Sequence, residues 1–258
     1  MRRVAVKVAY SGSDFSGSQI QPEKVTVEGE ILSNLLRIGN GKDEEWFDLK
    51  GSSRTDAGVN ATGNVFVFNT DLDDYELLSA LNAVSENVFY KGVATVDDSF
   101  NPRHALYREY RYLVPKFGID VDRMKECASL FQGKHDFIRF CKFDGKPTEI
   151  EMEHISVDEK NEYIEITFRS RFFLWNLIRR LSAAIIAVGK GRYDLDHVRR
   201  ALDGENLTFG LARADALTLT DVVYPDLEFD MIDTEPLKRK VRETKFTELL
   251  RQEFLESL

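Results

Sequence analysis

The sequence predicts an α+β protein built from two halves, each with strands and helices interspersed. Three observations lead there. Short runs of alternating apolar residues, such as Val4, Val6 and Val8, recur along the chain and read as half-buried strands. Runs with apolar residues three and four apart, as at Ile31, Leu32, Leu35 and Leu36, lie among them and read as helices. No low-complexity linker divides the chain, so the halves, 1–103 and 104–258, are expected to share one continuous sheet.

The elements follow in order. A first strand covers about Arg3 to Tyr10; its alternation and Lys7 argue against a signal peptide. Tyr10 to Gly17 is a Gly/Ser loop, and a helix is expected from Val27 to about Ile38. Trp46-Phe-Asp-Leu-Lys50 reads as a strand, as does Val65-Phe-Val-Phe68, with valines on one face and phenylalanines on the other. Asp73 can cap a helix from Asp74 to about Val84 through Leu77, Leu78 and Leu81. Strands are expected near 88–96 and 106–114, and a helix over 121–131 that ends near Gly133. Ile150–Val157 and Tyr163–Phe168 form a hairpin about a polar turn. The strongest helix signal runs from Phe173 to about Val188, with Phe173, Leu177, Leu181 and Ile185 on one stripe. Asp194 can cap a helix over 196–202. Ala214–Tyr224 is a last strand and Pro236–Leu255 a polar helix.

Composition narrows the function classes. Hydrophobic content of 43% and charged content of 31% suit an ordinary soluble chain. The longest apolar run, Leu181 to Val188, is too short to span a bilayer. Two cysteines make no disulfide framework, and with four histidines no spacing suggests zinc. A reduced, cytoplasmic protein without metal is the expectation. The net charge of −9 is uneven, because residues 169–192 carry +6 with no acid and residues 101–116 carry +3. Local basic surface of this kind can meet phosphates despite an acidic total.

The most informative stretch lies between the second and third expected strands. Gly51-Ser-Ser-Arg-Thr-Asp-Ala-Gly-Val59 is a loop of small residues that presents Arg54, Thr55 and Asp56. Small residues let a bulky ligand approach the backbone. The plain reading is a turn in which Asp56 caps backbone N–H groups. Further along, Arg108, Tyr110 and Tyr112 share one face of a strand, and a tyrosine ring offers a stacking surface with a hydroxyl able to exchange a proton. Arg179 lies off the apolar stripe of its helix.

These segments together resemble the TruA family of tRNA pseudouridine synthases. Arg54-Thr-Asp-Ala-Gly-Val59 is similar to its Arg-Thr-Asp-x-Gly-Val loop. Asn101-Pro-Arg-His with Arg108-Glu-Tyr-Arg-Tyr112 is similar to an Arg-containing segment followed by Arg-x-Tyr-Arg-Tyr. Phe173-Leu-Trp-Asn-Leu-Ile-Arg-Arg-Leu181 resembles its Phe-Leu-x-x-Met-Val-Arg helix, and Ala214–Asp226 its last strand. Lys134-His-Asp136-Phe137 matches a further segment, for which satisfying backbone groups at a junction is an adequate role. The departures are Ser18 for a bulky aromatic, Asn60 for a frequent histidine and Ala216 for a glycine.

The resemblance implies the pseudouridine synthase fold: a mixed, mostly antiparallel sheet from two similar halves, flanked by helices, with a central RNA-binding cleft. It implies Asp56 as the catalytic carboxylate, Arg179 as its ion-pair partner and Tyr110 in the active site. Arg54, Arg103 and Arg108 become the substrate contacts. It further implies tRNA as partner, action in the anticodon stem-loop, and a homodimer in which one tRNA touches both subunits. Isomerisation conserves atoms and electrons, so no cofactor is required. A non-catalytic tRNA-binding protein on the same scaffold would be expected to lack Asp56 or Tyr110, and both are present. A nucleosidase or glycosidase would want a second carboxylate beside Asp56, and the motif offers none.

Overall fold

The structure is a computed structural model describing residues 1–257. Two compact units form. The first holds Met1–Thr55, Gly63–His104 and the described residues from Asp226 on; the second holds Asp56–Thr62 and Ala105–Pro225. Compactness thus groups the chain differently from sequence order: the C-terminal segment packs with the N-terminal half.

In the first unit, β1 (Arg2–Tyr10) leads to α1 (Val27–Ile38), whose first turn is capped by the Thr26 hydroxyl accepting from Gly29 N–H. Ile31 and Leu35 are fully buried, but Leu36, expected on the buried side, is 38% exposed. The expected strand at 46–50 is instead a helical turn, α2 (Glu44–Phe47), followed by a short β2 (Lys50–Gly51). Asp43 caps it by accepting from Trp46 N–H at 2.9 Å, and Asp48, at φ 45°, ends it. Five alternating residues could not outweigh that cap. β3 (Asn60–Thr70) crosses from one unit to the other, and Val65 to Phe68 are all fully buried.

Asp73 caps α3 (Asp74–Val84) as expected, and Leu77, Leu78 and Leu81 are fully buried. β4 (Val88–Val96) pairs antiparallel with β1.

In the second unit, β5 (Tyr107–Pro115) precedes α4 (Val121–Ser129). This helix ends earlier than expected, and Gly133, at φ 95°, opens the small strand β6 (Gly133–Asp136). The first arm of the expected hairpin is divided. β7 (Glu149–Met152) pairs with β6, while β8 (His154–Glu159) pairs antiparallel with β9 (Tyr163–Ser170). Asp136 accepts from Ile138 N–H and the Thr148 hydroxyl, a local role for that carboxylate.

The main helix, α5, spans Leu177–Gly189 and not Phe173–Val188. Asn176 takes a left-handed conformation at φ 64°, which Asn tolerates, and turns the chain just before the helix. The Trp175 carbonyl accepts from Lys142 N–H at 2.8 Å. Apolar spacing continues unbroken through this junction, so periodicity alone could not reveal it. Leu177, Leu181 and Ile185 are fully buried, each adding roughly 2 kcal/mol. Asp194 caps α6 (Leu195–Leu202), and β10 (Leu217–Val223) lies antiparallel to β5.

The tail adds β11 (Asp230–Met231) beside β4, then α7 (Glu235–Glu256), both in the first unit. The strand order is β11-β4-β1-β3 in the first unit and β10-β5-β9-β8 in the second, with Asn60 and Ala61 parallel to β10. The architecture is mixed α+β with mostly antiparallel pairing. No helix among the described residues is long and apolar enough to cross a membrane.

Candidate active site

The loop carrying Asp56 is shaped by its own backbone. Val59 N–H donates to the Asp56 carbonyl at 3.1 Å, closing a four-residue turn. Gly58 sits at φ 83°, where a side chain is strained, and an added Cβ would stand 3.2 Å from the Ala214 side chain. The turn ends as Asn60 Nδ2 donates to the Asp215 carbonyl at 2.8 Å. Asn60, standing where histidine is frequent, is thus tied into backbone.

Arg179 is the third residue of α5. Its Nε donates to the Ala212 carbonyl at 2.8 Å, and its own carbonyl accepts from Ala212 N–H at 3.1 Å. Its Nη1 lies 3.5 Å from Asp56 Oδ2, with side chains 17% and 35% exposed. Segment 212–215 therefore holds both partners: Ala212 aims the guanidinium and Asp215 anchors the loop. Neither role shows in residue type, because both use backbone carbonyls, and sequence reasoning missed them.

Tyr110 is centred on β5, opposite Leu219 of β10 and Phe168 of β9. It is 7% exposed, and its ring meets the edge of Phe173 at 5.1 Å. Phe173, expected on the core stripe of the helix, instead precedes the helix and packs on Tyr110. Tyr112, on the same face, was given no role from sequence. Burial raises its pKa, and the nearby Arg179 charge pulls the other way. The alternation of β5 had placed it on this face.

The substrate-contact arginines divide. Arg54 and Arg103 are exposed, both in the first unit, and both charges act on the half-buried Glu28 carboxyl, whose pKa burial raises. Arg108 is set differently from these two. It is 7% exposed, burial lowers its pKa, and its guanidinium donates to the Arg171 carbonyl. Of the basic stretches, Arg169 pairs with Glu109 at 2.6 Å and Arg111 with Glu165 at 3.3 Å, so part of their charge is already neutralised. No cluster of metal-binding side chains occurs among the described residues.

Comparison with known proteins gives the family of the chain. A family model described as tRNA pseudouridine synthase matches residues 127–225. The tRNA pseudouridine synthase A of Pyrococcus furiosus is 36% identical over 245 residues, 93% of this chain and 90% of its own. The chain belongs to the tRNA pseudouridine synthase family. The homologous synthase of Thermococcus kodakarensis is 38% identical over 232 residues, covering 88% of this chain and 87% of its own. That of Methanococcoides burtonii is 34% identical over 254 residues, covering 96% and 92%. As a pseudouridine synthase the protein is an isomerase of uridine in tRNA. The C1′–N1 bond of the nucleotide breaks, a C1′–C5 bond forms, the C5 proton leaves and N1 gains one.

Proposed function

We propose that this synthase converts uridine to pseudouridine in the anticodon stem-loop of tRNA, at positions 38, 39 or 40, with Asp56 as the reacting carboxylate. The observation that supports the assignment is the Arg179–Asp56 ion pair, set in a turn that leaves Asp56 a third exposed. Parting uracil from C1′ needs a group that shares developing positive charge at the sugar or adds to the base. A carboxylate does either. Attack at C1′, attack at C6 and a route through a glycal all use Asp56. Arg179 keeps that carboxylate ionised and aimed. Tyr110 packs against the extruded base, and its hydroxyl handles the C5 proton. Arg54 and Arg103 contact the substrate phosphates, while Arg108 is held on the Arg171 carbonyl. The uridine leaves its stack to reach these groups.

The anticodon target rests on the resemblance of the motif loops, as does a homodimer in which one tRNA contacts both copies, working in the cytoplasm. The test is to map pseudouridine in unmodified tRNA transcripts after incubation with the protein. Product at 38–40 is expected; product confined to another arm would overturn the target assignment.

A further inference from the structure

Ser18 stands where the resemblance gives a bulky aromatic, and here it is almost wholly buried, 2% exposed. It grips Thr55 twice. Its N–H donates to the Thr55 carbonyl at 3.0 Å, and its Oγ accepts from Thr55 N–H at 2.9 Å. Its own carbonyl accepts from Glu28 N–H at 2.9 Å, a donor in the first turn of α1 that has no partner within the helix. Ser18 thereby ties the loop to a helix end.

A buried network continues behind it. The Thr55 hydroxyl meets the Tyr10 hydroxyl at 2.9 Å. Asn64 Nδ2 donates to Tyr10 Oη at 3.0 Å and to the Ser53 carbonyl at 3.1 Å. Asn64 Oδ1 accepts from Ser52 Oγ at 2.9 Å and from Val65 N–H at 2.9 Å. Ser52, Ser53 and Thr55 are all bound into this network, while the Arg54 side chain between them is exposed. A loop of small residues cannot hold its shape by packing; a satisfied polar network in a low-dielectric interior can.

We infer that Ser18, with Tyr10 and Asn64 behind it, is a positioning residue for the reaction. It fixes the backbone of Ser52–Thr55, so that Arg54 is presented outward and the chain enters Asp56 one peptide bond later in a set direction. A small misplacement of a reacting group costs rate far more than affinity. The inference rests on the roles given to Asp56 and Arg54 above.

The test compares wild type, Ser18→Ala and Asp56→Asn in steady-state tritium release from tRNA labelled at C5 of uridine, with folding followed by circular dichroism. Ser18→Ala should lower kcat about tenfold or more while KM stays within about threefold and the protein stays folded. Should that variant not fold, Tyr10→Phe, which removes one hydroxyl of the network and keeps the ring, makes the same comparison. A wild-type kcat, or a loss matched by the unfolded fraction, would overturn the positioning role. An active Asp56→Asn would instead overturn the reading beneath it, so the two failures are distinguishable.

Discussion

Arg179 Nη1 lies 3.5 Å from Asp56 Oδ2, while its Nε donates to the Ala212 carbonyl. The arginine fork therefore does two jobs, fixing its own orientation on segment 212–215 and presenting positive charge to the carboxylate. A compact ammonium cannot reproduce that division.

Arg179→Ala should leave a folded protein with about ten- to a hundredfold less activity. The pair is partly open to solvent, so the loss should fall between that of an exposed pair and the 3–5 kcal/mol of a broken buried one, at roughly 1.5–3 kcal/mol. Arg179→Lys should lie between the alanine variant and wild type. Values of kcat/KM for tritium release, beside thermal melts, decide it; near-normal turnover of the alanine variant would remove Arg179 from the site.

Tyr110→Phe keeps the ring against Phe173 and removes the hydroxyl. It should bind tRNA normally and turn over poorly, whereas Tyr110→Ala should lose affinity as well. Filter binding paired with single-turnover kinetics separates the two. Full turnover by the phenylalanine variant would limit Tyr110 to packing.

Affinity for tRNA should fall steeply with salt, and the arginines should sort by exposure. Arg54→Ala and Arg103→Ala should each flatten the slope of log affinity against log salt by about 0.7–0.9. Arg108→Ala should leave that slope alone and lower stability instead, because its guanidinium is buried on the Arg171 carbonyl. An unchanged slope in the Arg54 and Arg103 variants would contradict their phosphate role.

These contrasts mark what the sequence disclosed. The Arg54–Asp56 loop, the caps at Asp73 and Asp194 and the shared face of Arg108, Tyr110 and Tyr112 were legible, since each depends on residue type at a fixed spacing. The start of α5 was not, because Asn176 turns the chain inside an unbroken apolar period. Alternation showed which way Arg108 points, but not that the face is covered. The hold of segment 212–215 on Arg179 and Asn60 runs through carbonyls, which every residue has.

The buried Tyr10 hydroxyl gives a pH signature. Burial pushes it up to about 12, from 10 in an unfolded chain. Between those values the folded state keeps a proton that the unfolded state has lost. The resulting stability is fully present below pH 10 and is lost as pH rises through 12, at about 1.4 kcal/mol per unit. Tyr10→Phe should therefore lose stability less steeply over that window, although Tyr90 and Tyr112, also raised by burial, act in both proteins. Urea midpoints measured across pH 9–12 test this; equal slopes would mean that Tyr10 ionises as freely folded as unfolded.

The central claim is that the carboxylate of Asp56 does chemistry and does not merely cap its turn. Asp56→Asn keeps the shape of the side chain and its capacity to accept hydrogen bonds. The deciding measurement is tritium release from tRNA labelled at C5 of uridine, beside filter binding of the same tRNA. The account predicts wild-type binding with no release above background. Release at the wild-type rate would contradict it.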